Sequence, residues 1–149
     1  MIRVRCRSAV LALVGLSFLA CASTAIAAPI SFKVPLSAAE QIPPVEAAGY
    51  GTADLTWDPA TRLVTWRIDY SNMCRVAMAH FDYGARGHNG PVAIWLTKKG
   101  EPVKSPINGR ATLSPKEATE FEAGDWYINV RTKDHPEGEV RGQVVPPKP

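Results

Sequence analysis

Past residue 27 the sequence holds a single cysteine, Cys74. One thiol cannot close an internal disulfide, so the fold must stand on packing. A reactive thiol or metal ligand would need an electropositive setting, and only Arg75 is adjacent, so Cys74 is expected to be a small buried hydrophobe at a strand entrance. Runs of Lys and Arg are also missing, and with them the electrostatic footprint on which phosphate backbones bind; nucleic acid is excluded as a partner on that ground. The longest apolar run, Ala9 to Ala22, is 14 residues, short of the roughly 20 that cross a bilayer as a helix. Histidine is scarce: His80, His88 and His135 are the full set. No Ser-His-Asp order stands out, and Ser114 has another use as a helix cap. No enzyme is expected.

What is present begins with a leader. Arg3, Arg5 and Arg7 precede the apolar run, and Ala25-Ile26-Ala27 is a small-x-small site. This is the pattern of a secretory signal peptide over residues 1–27, with a mature start near Ala28 and a periplasmic or secreted destination. Leu19-Ala20-Cys21 faintly resembles a lipid-attachment box, with Phe18 where that box prefers leucine; lipidation at Cys21 is the lesser alternative. Losing the three arginines takes the formal charge from +3 to zero. No transmembrane span is expected after cleavage.

The remainder reads as short strands. Ile30 to Leu36, Gly51 to Trp57, Leu63 to Tyr70 and Val76 to Tyr83 alternate apolar and polar residues, the period-2 mark of a half-buried strand. Val92 to Leu96 is continuously apolar and is expected at the centre of a sheet. Gly109 to Leu113 follows. Ser114-Pro115-Lys116-Glu117 is a capping box with proline at the first helical position, opening a short helix that ends near Gly124. Trp126 to Thr132 and Gly138 to Val144 form a closing hairpin with one apolar and one polar face. Most of Trp57, Trp66, Trp95 and Trp126 are expected in the core. The reading is one all-β domain over residues 28–145, an antiparallel Greek-key sandwich of the immunoglobulin-like or superoxide-dismutase-like kind with one short helix. Pro146 to Pro149 is expected to be a flexible tail.

Five stretches then resemble one family. Leu36-Ser37-Ala38-Ala39-Glu40-Gln41-Ile42-Pro43-Pro44-Val45, Ala79-His80-Phe81-Asp82, Asn89-Gly90-Pro91-Val92, Trp126 to Thr132 and Gly138-Glu139-Val140-Arg141-Gly142-Gln143 are similar, in order and spacing, to the CHRD (chordin-type) domain. The resemblance implies an exported bacterial member with an all-β fold. It implies no settled activity; animal relatives belong to proteins that bind growth factors. The family often has His-x-His where this chain has His80-Phe81-Asp82, and histidine where this chain has Arg131.

That substitution decides the site reading. His-x-His on a strand suits copper or zinc, whereas one imidazole, one carboxylate and one guanidinium do not, because arginine stays protonated. If Arg131 faces Glu139 across the hairpin, Asn129 faces Arg141 and Tyr127 faces Gln143. The expectation is a structural polar cluster of His80, Asp82, Asn129, Arg131, Glu139 and Arg141. Arg131 would be held by Asp82, Glu139 or both, with no bound metal and no cofactor. The function expected is a non-catalytic binding or structural module for an unknown protein or cell-envelope ligand. The alternative is a metal-binding or redox-related periplasmic protein.

Overall fold

The computed structural model describes residues 27–148; the expected leader, Cys21 and Pro149 lie essentially outside that span. Eight strands run in chain order: β1 (Ile30–Ser37), β2 (Tyr50–Asp58), β3 (Leu63–Ser71), β4 (Val76–Tyr83), β5 (Val92–Trp95), β6 (Ile107–Thr112), β7 (Trp126–Thr132) and β8 (Val140–Val144). One helix, α1 (Pro115–Ala123), joins β6 to β7.

The strands form one antiparallel sheet in the order β5-β4-β7-β8-β1-β2-β3-β6. The two separate sheets of a sandwich were the expectation; here two four-stranded halves are joined by a single ladder pair, Ser37 with Arg141. The sheet nonetheless curls, with β5 and β6 left as its two edges. Laid flat, β3 and β4 would stand five strand spacings apart, roughly 24 Å at about 4.8 Å each. Instead the Trp66 ring on β3 meets the Phe81 ring on β4 edge-on, centroids 5.7 Å apart. The curl comes from burying the apolar face of each half against the other. Close approach at the seam depends on Gly142, where a Cβ would strike the Pro35 carbonyl oxygen and the side chains of Leu36 and Val34.

Helix α1 closes the mouth of the curl. The Ser114 side chain accepts from the Glu117 backbone N–H while the Glu117 carboxylate accepts from the Ser114 N–H. These bonds satisfy two of the helix's orphan donors. Gly124, at φ 83°, ends the helix in a left-handed cap, a conformation that costs glycine nothing. The helix sends Phe121 inward against Trp57, Phe81 and Trp126.

Three of the four tryptophans are buried; Trp95 is half exposed. Strand β5 lies at an edge and not at the centre of the sheet. Its register against β4 shifts at a bulge between Phe81 and Asp82, a local irregularity invisible to period counting. Cys74 is exposed, contrary to the buried role expected for it: it sits in the β3–β4 turn, where Asn72 and Arg75 take positive φ and turn the chain outward. Pro146 is buried, so the tail packs at its base. Among the described residues no helix is long and apolar enough to cross a membrane.

Candidate functional site

The polar face of the β7–β8 hairpin is not a solvated face. Every residue from Trp126 to Thr132 except the half-buried Arg131 is buried, as is all of β8. Two loops cover it. The segment after β1 brings Gln41 to Val45 across one side, and the β4–β5 loop brings residues 84–91 across the other.

The sheet register explains which side chains meet. His80 lies opposite Asn129 on one side and Trp95 on the other, and Asn129 lies opposite Arg141. These residues therefore form one row across β5, β4, β7 and β8. Asp82 lies opposite Tyr127, and Tyr127 opposite Gln143, in the next row. His80 and Asp82 are both fully buried, and Nδ1 of the ring donates to the Asp82 carboxylate at 2.6 Å. Asn129 donates to the other Asp82 oxygen at 3.4 Å and to the Glu137 carbonyl at 3.0 Å, and its oxygen accepts from Gln41 Nε2 at 3.0 Å. Gly138 leaves room for that bond: a Cβ there would collide with both Asn129 Oδ1 and Gln41 Nε2, at a φ of 141° that disfavours other residues.

Arg141 is 1% exposed. Its guanidinium donates to Asn89 Oδ1, to the His88 carbonyl and to Gln143 Oε1, and lies 3.6 Å over the Tyr127 ring. Burial pushes the guanidinium below its ordinary pKa, and Tyr127, Glu40 and Asp82 oppose that shift. Burial likewise raises the Tyr127 phenol. Gln143 ties the carbonyls of Gly84, Gly124 and Trp126. A cation buried this deeply is tolerable only because both terminal nitrogens find acceptors and the Tyr127 ring covers its face.

Of the six residues expected to cluster, His80, Asp82 and Asn129 are bonded together and Arg141 lies beside them. The expected Arg131 pairing is not formed. Arg131 sits opposite Met78, four residues along β4 from Asp82, or about 13 Å at strand rise. Glu139 is engaged elsewhere, accepting from Thr132 Oγ1 at 2.8 Å. Gln41, Asn89, Tyr127 and Gln143 complete the network and are not among the six residues expected to cluster. Gln41 and Asn89 fall within the stretches that carry the resemblance, and Tyr127 and Gln143 were placed opposite each other. What no pattern gave was the burial that makes them partners.

Above the network lies a cleft of about 310 Å³, walled by Ile42 and Pro43, Asn89 and Gly90, and Arg131 with Gly138. A larger groove, about 610 Å³, runs between the two ends of the described chain, past Ile30, Trp57 and Pro146. Its lining is overwhelmingly apolar and gathers no chemistry, so the smaller cleft is the candidate site. All five stretches similar to the CHRD domain supply residues to its walls or to the network beneath it.

Among the described residues no three His, Cys, Asp or Glu side chains are gathered as a metal site would need. The family model described as the CHRD domain matches residues 32–144. No curated protein and no solved structure matches the chain. The match reaches into all eight strands and both loops that roof the cleft, and the chain belongs to the CHRD domain family.

Proposed function

We propose that the protein is an exported, non-catalytic binding module, active in the periplasm or outside the cell, and that the cleft between the Gln41–Val45 segment, the β4–β5 loop and the β7–β8 hairpin is its binding site. The observation that carries this reading is the polar layer under the cleft. Buried polar groups specify a rigid arrangement when each has a partner, and here the Asp82–Asn129 and Arg141–Asn89 bonds fix the platform and one wall together. A preformed concave site with few open polar groups is the usual form of a small-molecule pocket.

The metal alternative has less behind it. His80 presents one unpartnered ring nitrogen, Nε2, and a copper or zinc site needs three or four ligands. Two measurements test the proposal. Small-molecule fragments titrated into the isotope-labelled mature domain should perturb backbone resonances of residues 41–45, 89–90 and 127–138. Perturbations confined to the groove near Trp57 would overturn it. Calorimetry with copper and zinc should give no tight binding; stoichiometric submicromolar binding lost in His80→Ala would replace this reading with the metal one.

A further inference from the structure

The hydrogen-bond census of the cleft leaves few groups open. The Tyr127 hydroxyl lies between the N–H and carbonyl of Gly90. Asn89 gives its amide nitrogen to the Ile42 carbonyl and its oxygen to Arg141. Asn129 is fully engaged. Gln41 spends its nitrogen on Asn129 and leaves its carbonyl oxygen open. The remaining group is the Arg131 guanidinium. Its Nε is buried and has no partner among the described residues. Arg67, Arg75 and Arg86 each hold a carboxylate; Arg131 holds none. Glu137 shares the cleft wall, but its side chain is exposed and forms no ion pair with Arg131.

An arginine that lines a cleft without a carboxylate partner can recognise an anion of planar geometry, because its fork bonds two oxygens at once. The same cleft is lined by Gln41, whose Oε1 accepts no bond among the described residues, and by the apolar Ile42, Pro43 and Val45. We propose that the cleft binds a small carboxylate whose body carries an N–H and an apolar group, the chemistry of an N-acylated amino acid. The carboxylate sits on Arg131, the N–H donates to Gln41 Oε1, and the apolar group lies against Ile42 and Pro43. A volume of about 310 Å³ suits a ligand of that size. The inference rests on the cleft being the binding site.

The test compares N-acetyl-leucine with N-acetyl-leucinamide, which differ only in the charge at the carboxyl end. Each is titrated to about 10 mM, above the roughly millimolar Kd expected of ligands this small, and followed by resonance shifts in the labelled mature domain. The acid should bind at the cleft, and the amide at least about tenfold more weakly, the fold-change of one charge-assisted hydrogen bond. Arg131→Leu should lose the acid by the same factor. Arg131→Lys, which keeps the charge without the fork, should fall between and covers the case in which Arg131→Leu does not fold. Glu137→Gln, which removes the neighbouring carboxylate, should tighten acid binding. If the amide binds as well as the acid, the carboxylate proposal is overturned while the cleft stands as a binding site. If neither shifts the cleft resonances, the proposal is overturned, and the fragment titration decides the binding reading separately.

Discussion

The two faces of the closing hairpin are both buried, and they are buried by different means. On one face Trp126, Ile128, Val130, Val140 and Val144 enter the aromatic centre around Phe81 and Phe121. On the other, Tyr127, Asn129, Arg141 and Gln143 lie under the roof loops in a bonded network. Packing on the first face is non-directional, and its stabilisation scales with area removed from water. The second face gains little net free energy per bond but is expensive to leave half made. The apolar face therefore sets how stable the fold is, and the polar face sets which arrangement of loops the fold holds.

Five substitutions would break or sharpen that contrast. Phe81→Ala, on the apolar face, should have the largest effect, a loss of about 3–5 kcal/mol, read from urea denaturation. If the loss were under about 1 kcal/mol, the centre would not lie where four rings meet. Arg141→Met comes next, at roughly 2–3 kcal/mol, since Asn89 Oδ1, the His88 carbonyl and Gln143 Oε1 would lose their donor. Its signature is local: amide exchange in residues 84–91 should rise more than in β2 or β3, and a uniform rise would contradict the assignment. Gly138→Ala should cost about 1–2 kcal/mol through its backbone conformation and displace Gln41 from Asn129, visible as shifts in the Gln41 side-chain amide resonances. Ser114→Ala, on neither face, should cost about 1 kcal/mol through the lost helix cap. That last site carries a pH dependence. The bond with Ser114 holds the Glu117 carboxyl below its ordinary value, so its contribution is complete above the unfolded-state pKa and is lost as the pH falls through the lowered one. Glu117→Gln should flatten that part of the acid-stability curve.

Much of the local structure was legible. Alternation located β1 to β4 and β7 to within a residue or two, the capping box located α1, and the hairpin register that sets Asn129 against Arg141 followed from the pairing of its strands. Two things escaped. The burial of the hairpin's polar face escaped because alternation reports polarity, and polarity distinguishes water from a covering loop only when the loop's position is known. Its cover comes from residues 41–45 and 84–91, remote in sequence. The Arg131–Asp82 pair failed for a register reason: the same alternation is consistent with any even shift between β4 and β7, and the observed one puts Met78 opposite Arg131. Periodicity fixes which face a side chain takes and leaves its neighbour along the strand undetermined.

The bond from Gln41 to Asn129 spans 88 positions of sequence. Its two ends come together only when the chain between them has folded, so the cleft has no counterpart in a partly folded chain. Whatever occupies it binds the native state alone. Occupancy then becomes a term in the folding equilibrium, worth about 2.7 kcal/mol when the free ligand stands at a hundred times its Kd. In a compartment where the ligand is scarce the protein would be correspondingly easier to unfold, and its persistence there would report the ligand's concentration.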